Sequence, residues 1–317
     1  MRAMPFDDVF AQLTAVQLSV TDLARLRKWI AGIAHPDECI GLIEQAARGR
    51  PCPRCGCARA HRCGQASGLQ RFRCLGCGRS YNALTGTSLA RLRKKEHWLA
   101  YLQCVLESRT VREAAHVVGV HRTTSFRWRH RFVPGAMRDR PATLTAIVEA
   151  DETYRLESQK GSRNMTRKPR KRGGVATKRG ISGELDCLLV ARDRSGQTLD
   201  FHTGRGQVTV AQLEKCLKPV LPADVLLISD SALSYRHFAK QAGITHEAVN
   251  VESGVHARGA IHIQNVNAWH SRFKSWLVRF RGVASRYLIN YSGWQRVLDA
   301  RRLTTPVHLL CAAVQLG

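Results

Sequence analysis

The chain has 317 residues, 44% of them hydrophobic, and carries 50 Lys and Arg against 24 Asp and Glu, a formal charge of +26. That length suggests two domains with a small appendage, and the charge points to a polyanionic partner rather than a small neutral substrate. Apolar runs such as Leu188–Ala191 are far shorter than the roughly 20 residues of a membrane span, and Asp7 and Asp8 stand where a signal peptide would be apolar. The expectation is a soluble, cytoplasmic protein with no membrane association. Eleven cysteines, an odd number in a long chain, suit metal binding better than disulfides.

Residues 1–50 read as a helical N-terminal segment without chemistry. Ser19-Val-Thr-Asp22 forms a capping box ahead of Leu23, Leu26, Trp29 and Ile30 at helical spacing, and a second helix is expected over Glu38–Ala47. Charge there is balanced, six acids against six bases, whereas residues 51–135 hold 16 basic residues and three acidic ones. Positive density is highest in this middle stretch.

Residues 51–84 read as a zinc ribbon. Cys52-Pro-Arg-Cys55 and Cys74-Leu-Gly-Cys77 are two knuckles 18 residues apart, with Gly56 and Gly78 after each second cysteine. Four such thiolates close a tetrahedron around Zn²⁺ and leave no position for water, so the ion would be structural. Cys57 and Cys63 compete as ligands, but neither forms a knuckle. Leu69–Arg73 alternates like a hairpin strand. Arg54, Arg59, Arg62, Arg71, Arg73 and Arg79 give the ribbon a phosphate-contacting surface.

Residues 85–135 read as a helix-turn-helix. A helix bearing Trp98, Leu99, Leu102 and Val105 precedes Thr110; Ala115 and Gly119 suit a tight turn, and Thr123 or Thr124 caps a second helix with Phe126 or Trp128 facing the core. His121, Arg122, Arg127, Arg129 and Arg131 then remain to meet DNA.

Residues 143–300 read as an α/β domain, with 301–317 as a C-terminal tail. Ile147–Asp151 is a strand ending in an acid, and a basic stretch from Lys160 to Arg179 is expected to be a solvated loop that orders on DNA. A hairpin (185–192, 198–202), a helix (210–221), a strand Asp224–Asp230, a helix (235–242), a strand (244–249) and a long helix (265–280) follow. The order β-β-β-α-β-α-β-α is that of the ribonuclease H-like fold. Its first and fourth strands are parallel neighbours, which would bring Asp151 and Asp230 together as a hard oxygen site for Mg²⁺ or Mn²⁺.

With these residues in view, the chain resembles bacterial insertion-sequence transposases of the IS fifteen-ninety-five (ISXO-two-like) family. The resemblance spans most of residues 50–300. It rests on the four-cysteine ribbon, Val148-Glu-Ala-Asp-Glu-Thr-Tyr154, Ile228-Ser-Asp230, His262–Trp276, Phe280-Arg-Gly-Val-Ala284 and Tyr287-Leu-Ile-Asn-Tyr291. It implies cleavage of DNA at terminal inverted repeats and joining to target DNA by a homo-oligomer assembled on the ends, in the bacterial nucleoid. It also implies Asn267 as the third metal ligand beside Asp151 and Asp230, with Lys274 seven residues on. Two helical turns drift by only ~20°, so Asn267 and Lys274 share a helix face. Trp269, Phe273, Trp276 and Phe280 lie roughly opposite. Asn265 is a competing third ligand, and Glu252 would be the choice were a carboxylate obligatory. His262 and His270 are not nominated as ligands. The alternative class is a DNA-binding regulator with an inactive ribonuclease H-like domain.

Overall fold

The computed structural model describes residues 16, 19–23, 36–171, 174–249 and 257–315. Ser19 Oγ accepts the Asp22 N–H at 3.1 Å, as the capping box requires, while Leu26, Trp29 and Ile30 lie outside the described residues. Helix α1 (Pro36–Ala46) buries Cys39 and Ile43, and its Glu44 accepts the Gln70 N–H at 2.7 Å from the neighbouring hairpin.

That hairpin is a three-stranded antiparallel sheet of β1 (Ala60–Ala66), β2 (Leu69–Cys74) and β3 (Ser80–Tyr81). Gly56 and Gly78 take φ of 72° and 66°, the left-handed turn each knuckle needs. The knuckles place the sulfurs of Cys52 and Cys77 3.8 Å apart and those of Cys55 and Cys74 3.5 Å apart, all four within 4.8 Å. A tetrahedron with Zn–S bonds of about 2.3 Å needs sulfurs about 3.8 Å apart, so the cluster has the size of a zinc site. Backbone N–H groups of Cys77 and Gly76 pull the Cys74 thiol down to about 6, toward the thiolate a metal requires. Cys57 and Cys63 stand outside the group.

Three helices follow: α2 (Trp98–Leu106), α3 (Val111–Val118) and α4 (Arg122–Arg138). Thr110 and Glu113 cap α3 reciprocally, and Gly119, at φ 72°, closes it. The start of α4 is capped by neither threonine; His121 Nδ1 accepts the Thr123 N–H at 3.3 Å. Trp128 is buried and Phe126 exposed. Arg129, expected on the DNA-facing surface, is instead fully buried. It donates to the Arg109 carbonyl at 2.6 Å, and its guanidinium lies 4.6 Å from the Trp294 ring. The cause is that α4 has apolar neighbours on two sides, α2 and a later helix, so the residue beside Trp128 also points inward.

The second sheet has five strands in the order β6-β5-β4-β7-β8, with its first and fourth strands side by side as expected: β4 (Ile147–Leu156), β5 (Leu185–Asp193), β6 (Thr198–Arg205), β7 (Leu226–Asp230) and β8 (Thr245–Val249). β5 runs antiparallel to its two neighbours, β4 and β6; β7 runs parallel to both β4 and β8. Helices α5 (Val210–Leu217) and α6 (Leu233–Ala242) bury Leu213, Leu217, Tyr235 and Phe238 against Val148, Ala150 and Leu227 on one face. On the other face, α7 (Gln264–Val278) and α8 (Leu288–Asp299) bury Trp269, Phe273 and Trp294 in one core with Val190, Ile228, Trp98 and Trp128. The sheet and the DNA-facing candidates therefore share a hydrophobic core, which Trp276 Nε1 reinforces by donating to Ser108 Oγ at 2.8 Å.

Three local expectations change. β4 does not end at Asp151: β5 pairs with it from Val148 to Leu156, so the acid sits mid-strand. The basic connection between β4 and β5 is held by acids at its two ends rather than free in solvent, as described below. Residues expected as a tail form α9 (Pro306–Gln315), which buries Leu310 and Val314. A Cβ at Gly135 of α4 would lie 2.6 Å from Ala313 Cα, so the two helices meet where only glycine fits. No helix among the described residues is long and apolar enough to cross a membrane.

Two outcomes are expected. Elemental analysis should find one zinc per chain, and Cys74→Ser should lose it, with unfolding of the ribbon seen as lost protection of β1 and β2 amides in hydrogen exchange. His130, stacked on Tyr287 at 3.7 Å, is pushed down to about 4 by burial and by the charges of Arg129 and Arg286. The unfolded chain thus binds more protons between pH 6.5 and 4, and stability from neutral His130 is full above pH 6.5 and lost as pH falls. In urea unfolding, the stability advantage of wild type over His130→Phe should shrink on acidification from pH 7.5 to 5.

Candidate active site

β4 and β7 set the first relationship. Their register pairs Ile147 with Leu226 and Glu149 with Ile228; extended by two residues it sets Asp151 beside Asp230. Both are half-buried on the face that α7 covers, since Glu149, Asp151 and Ile228, Asp230 alternate with residues that face α5 and α6. Burial raises the Asp230 carboxyl, the Ala232 N–H bound at 3.1 Å opposes that rise, and the charge of Asp151 adds to it.

α7 supplies the opposite wall. His270, 4% exposed, brings Nδ1 to 3.5 Å from Asp151 Oδ2, and its buried Nε2 has no hydrogen-bond partner. Asn267 and Lys274 lie three residues before and four after it. All three fall within about 60° on the helix, at about 100° per residue. Asn267 and Lys274 are exposed, and Asn265 is half-buried. Among the described residues the trio Asp151, Asp230 and His270 does not draw within 4.8 Å, unlike the cysteines. Glu252 lies outside the described residues.

Glu149 explains why α7 sits here. Its side chain is wholly buried, yet every side of the carboxylate is answered: it accepts the Val266 N–H at 2.9 Å, binds Arg194, and lies 3.3 Å from His262 Nδ1. α7 has no side-chain cap of its own at Ile263. A carboxylate from the adjacent strand takes that role, favoured by the positive end of the helix dipole. Arg194 also donates to the Ala260 carbonyl at 2.6 Å, fixing the segment before the helix.

From this anchor α7 runs alongside β4. Glu149 meets Val266, Asp151 meets His270, and farther on Arg155 and Arg279 line one cavity. Six strand residues and 13 helical residues each span about 20 Å, so strand and helix keep step. Glu152 points to the opposite face, where the buried Tyr235 hydroxyl donates to it. Burial pushes its carboxyl up to about 7, and the charges of Asp151 and Asp230 add to this.

Elsewhere, His121, Arg122 and Arg127 are exposed around the start of α4, and Arg131 is half-buried and donates to the Ser88 carbonyl at 3.0 Å. Sequence reasoning missed Glu149 and set His270 aside. The signal for His270 was present, because it shares the face of Asn267 and Lys274. Glu149 has no comparable signal, since its partners come from residues 194, 262 and 266.

Residues 143–294 match the family described as the ISXO2-like transposase domain. A protein of Halobacterium salinarum, described as an uncharacterized protein in transposable element ISH50, is 27% identical over 246 residues, 76% of this chain and 82% of its own length. Among solved structures, the simian T-cell lymphotropic virus intasome in complex with PP2A regulatory subunit B56 gamma aligns at 13% identity and TM-score 0.29, covering 49% of each chain. The pre-cleavage Mos1 transpososome aligns at 16% identity and TM-score 0.23, over 64% of this chain and 75% of its own. Likenesses this low in TM-score add nothing to the strand order already described. On the family match, the five-stranded sheet with its paired aspartates and the helices over it belong to the ISXO2-like transposase family.

Proposed function

We propose that the protein is a DNA transposase that cuts at the ends of its element and joins them to target DNA. The observation that carries this is the placement of Asp151 and Asp230 on adjacent parallel strands, under one helix, inside the family-matched segment. In the first step a water oxygen attacks phosphorus and the bond to a 3′-oxygen breaks, leaving a 3′-hydroxyl. In the second, that hydroxyl attacks a target phosphodiester and displaces one of its own oxygens, so bonds made and broken balance without an oxidant.

Two carboxylates with a neutral amide nearby are a hard donor set suited to Mg²⁺ or Mn²⁺. Asp151, Asp230 and Asn267 would hold the ion, which supplies activation of the attacking oxygen and neutralisation of developing charge. Lys274, on the same helix face, would contact a phosphate. Glu149 positions all of the α7 residues by holding the helix to β4. Most of the rate comes from this positioning.

DNA would be gripped by residues 51–135. The ribbon, with Zn²⁺ in its four cysteines, presents phosphate-contacting arginines, and α3 with α4 acts as the helix-turn-helix, using His121, Arg122, Arg127 and Arg131. Residues 143–300 form the catalytic domain, extended by α9. The protein would work in the nucleoid as a homo-oligomer assembled on two DNA ends, without membrane contact.

The deciding experiment incubates the protein and Mg²⁺ with labelled DNA from both flanks of its gene. Wild type should nick at one defined position and yield joined products. Asp151→Ala, Asp230→Ala and Asn267→Ala should each lose about 100-fold or more in cleavage while still binding the DNA. Tight, salt-sensitive binding with no cleavage in Mg²⁺ or Mn²⁺ would replace this reading with that of a DNA-binding regulator. Glu149→Ala, by stranding Arg194 and an uncapped helix, should cost about 3 kcal/mol of stability in urea unfolding, and Glu149→Gln, which keeps an acceptor for Val266, should recover part of it.

A further inference from the structure

The connection between β4 and β5, residues 157–184, closes against the far end of α7 around a cavity of about 900 Å³. Arg155 of β4, Lys160, Arg167 and Arg170 of the connection, and Arg279 and Arg281 beyond α7 all line it. Its one lining acid among the described residues, Glu157, is 4% exposed and already engaged. Arg167 Nε lies 2.8 Å and Arg205 Nη2 3.2 Å from that carboxylate, Arg170 lies 3.7 Å from it, and the Glu157 carbonyl accepts from both Arg167 and Arg170.

Other contacts fix the same frame. Glu184, at the opposite end of the connection, takes Arg170 Nη2 at 3.3 Å and the backbone N–H groups of Thr177 and Lys178. Lys160 Nζ donates to the carbonyls of Arg281 and Gly282, tying the connection to the chain after α7. The guanidinium groups of Arg155, Arg279 and Arg281 have no hydrogen-bonded partner and no carboxylate within 4.0 Å among the described residues, though the charge of Asp186 reaches Arg155 from the neighbouring strand. Among the described residues no aromatic side chain lines the cavity, and its donors are guanidinium and ammonium groups, which suit phosphate. Its chemistry recognises phosphate.

Arg155 lies four residues beyond Asp151 on the same face of β4, about 13 Å away. Phosphates of one DNA strand recur about every 3.4 Å along the duplex axis. We infer that this cavity seats the backbone phosphates of a DNA strand about four nucleotide steps from the bond cut at Asp151 and Asp230, and that Glu157 shapes it by holding Arg167 and Arg170 in fixed positions. The inference rests on the transposase reading and adds a phosphate-binding site to it.

The test uses the full chain and the labelled flank DNA, with anisotropy across a salt series and ethylation interference to locate the contacted phosphates. Arg155→Gln/Arg281→Gln should weaken binding about tenfold, lower the slope of log affinity against log salt by about 2, and erase interference at phosphates about four steps from the nick. Glu157→Gln separates a shaped site from a merely positive one. It adds net positive charge, so a diffuse charged surface would bind more tightly, whereas loss of the arginine frame predicts about tenfold weaker binding. If Glu157→Gln does not fold, the arginine pair still decides. Wild-type cleavage together with unchanged slope and interference in that pair, or tighter binding by folded Glu157→Gln, overturns the inference and leaves the transposase reading standing. Absence of Mg²⁺-dependent cleavage by wild type overturns the reading itself.

Discussion

One buried carboxylate organises the α/β half of this protein. Glu149 is shut off from solvent, so the fold must supply donors, and those it finds are the first turn of α7 and Arg194, with the His262 ring beside them. Anchoring a helix by its N-terminus to a strand residue two positions before Asp151 fixes more than one contact. It sets the phase of the whole helix against the whole strand. His270 falls beside Asp151 for this reason, and the ends of both elements arrive together at the basic cavity. Without this anchor, an uncapped α7 could slide or rotate by a residue, turning His270 away from Asp151.

A second constraint is hydrophobic. The aromatic side chains of α2, α4, α7 and α8 form one cluster, in which Trp276 lies 4.9 Å from Trp294 and Trp98 lies 5.3 Å from Phe132. The helices proposed to grip DNA are thereby packed onto the helix that carries Asn267, without a flexible linker between them. Arg129 lies at the centre, its charge shared between a backbone carbonyl and the face of Trp294. The distance from the start of α4 to the aspartate pair is thus fixed by side chains packed in one core.

Much of this was legible in the sequence because it depends on local pattern. Two knuckles, the turn signalled by Ala115 and Gly119, and the alternation and spacing of strands and helices are short-range signals, and the ribbon, the end of α3 and the strand order follow from them. What escaped depends on partners far along the chain. Asp151 reads as a strand end because acids punctuate strands, yet β5 carries the ladder onward to Leu156. Arg129 reads as a surface cation because its sequence neighbours are cations, but Trp294 and the Arg109 carbonyl make burial affordable. The stretch 160–179 reads as free because its composition is basic; the two acids that restrain it, Glu157 and Glu184, lie just outside it.

The contact between Gly135 and Ala313 sets an order on how the molecule is made. The core that supports α2 and α4 is completed by α9, whose Leu310 and Val314 are buried in it and whose Ala313 fills the space a side chain at Gly135 would take. During synthesis the ribbon and the first helices emerge early, but the last wall of their core emerges only after the whole α/β half has been made. A ribosome that stalls within the α/β half would release a chain with the basic residues of a DNA binder and an unfinished core. The fold of the N-terminal half is thus coupled to synthesis of α9, and fragments ending before that helix would be candidates for proteolysis.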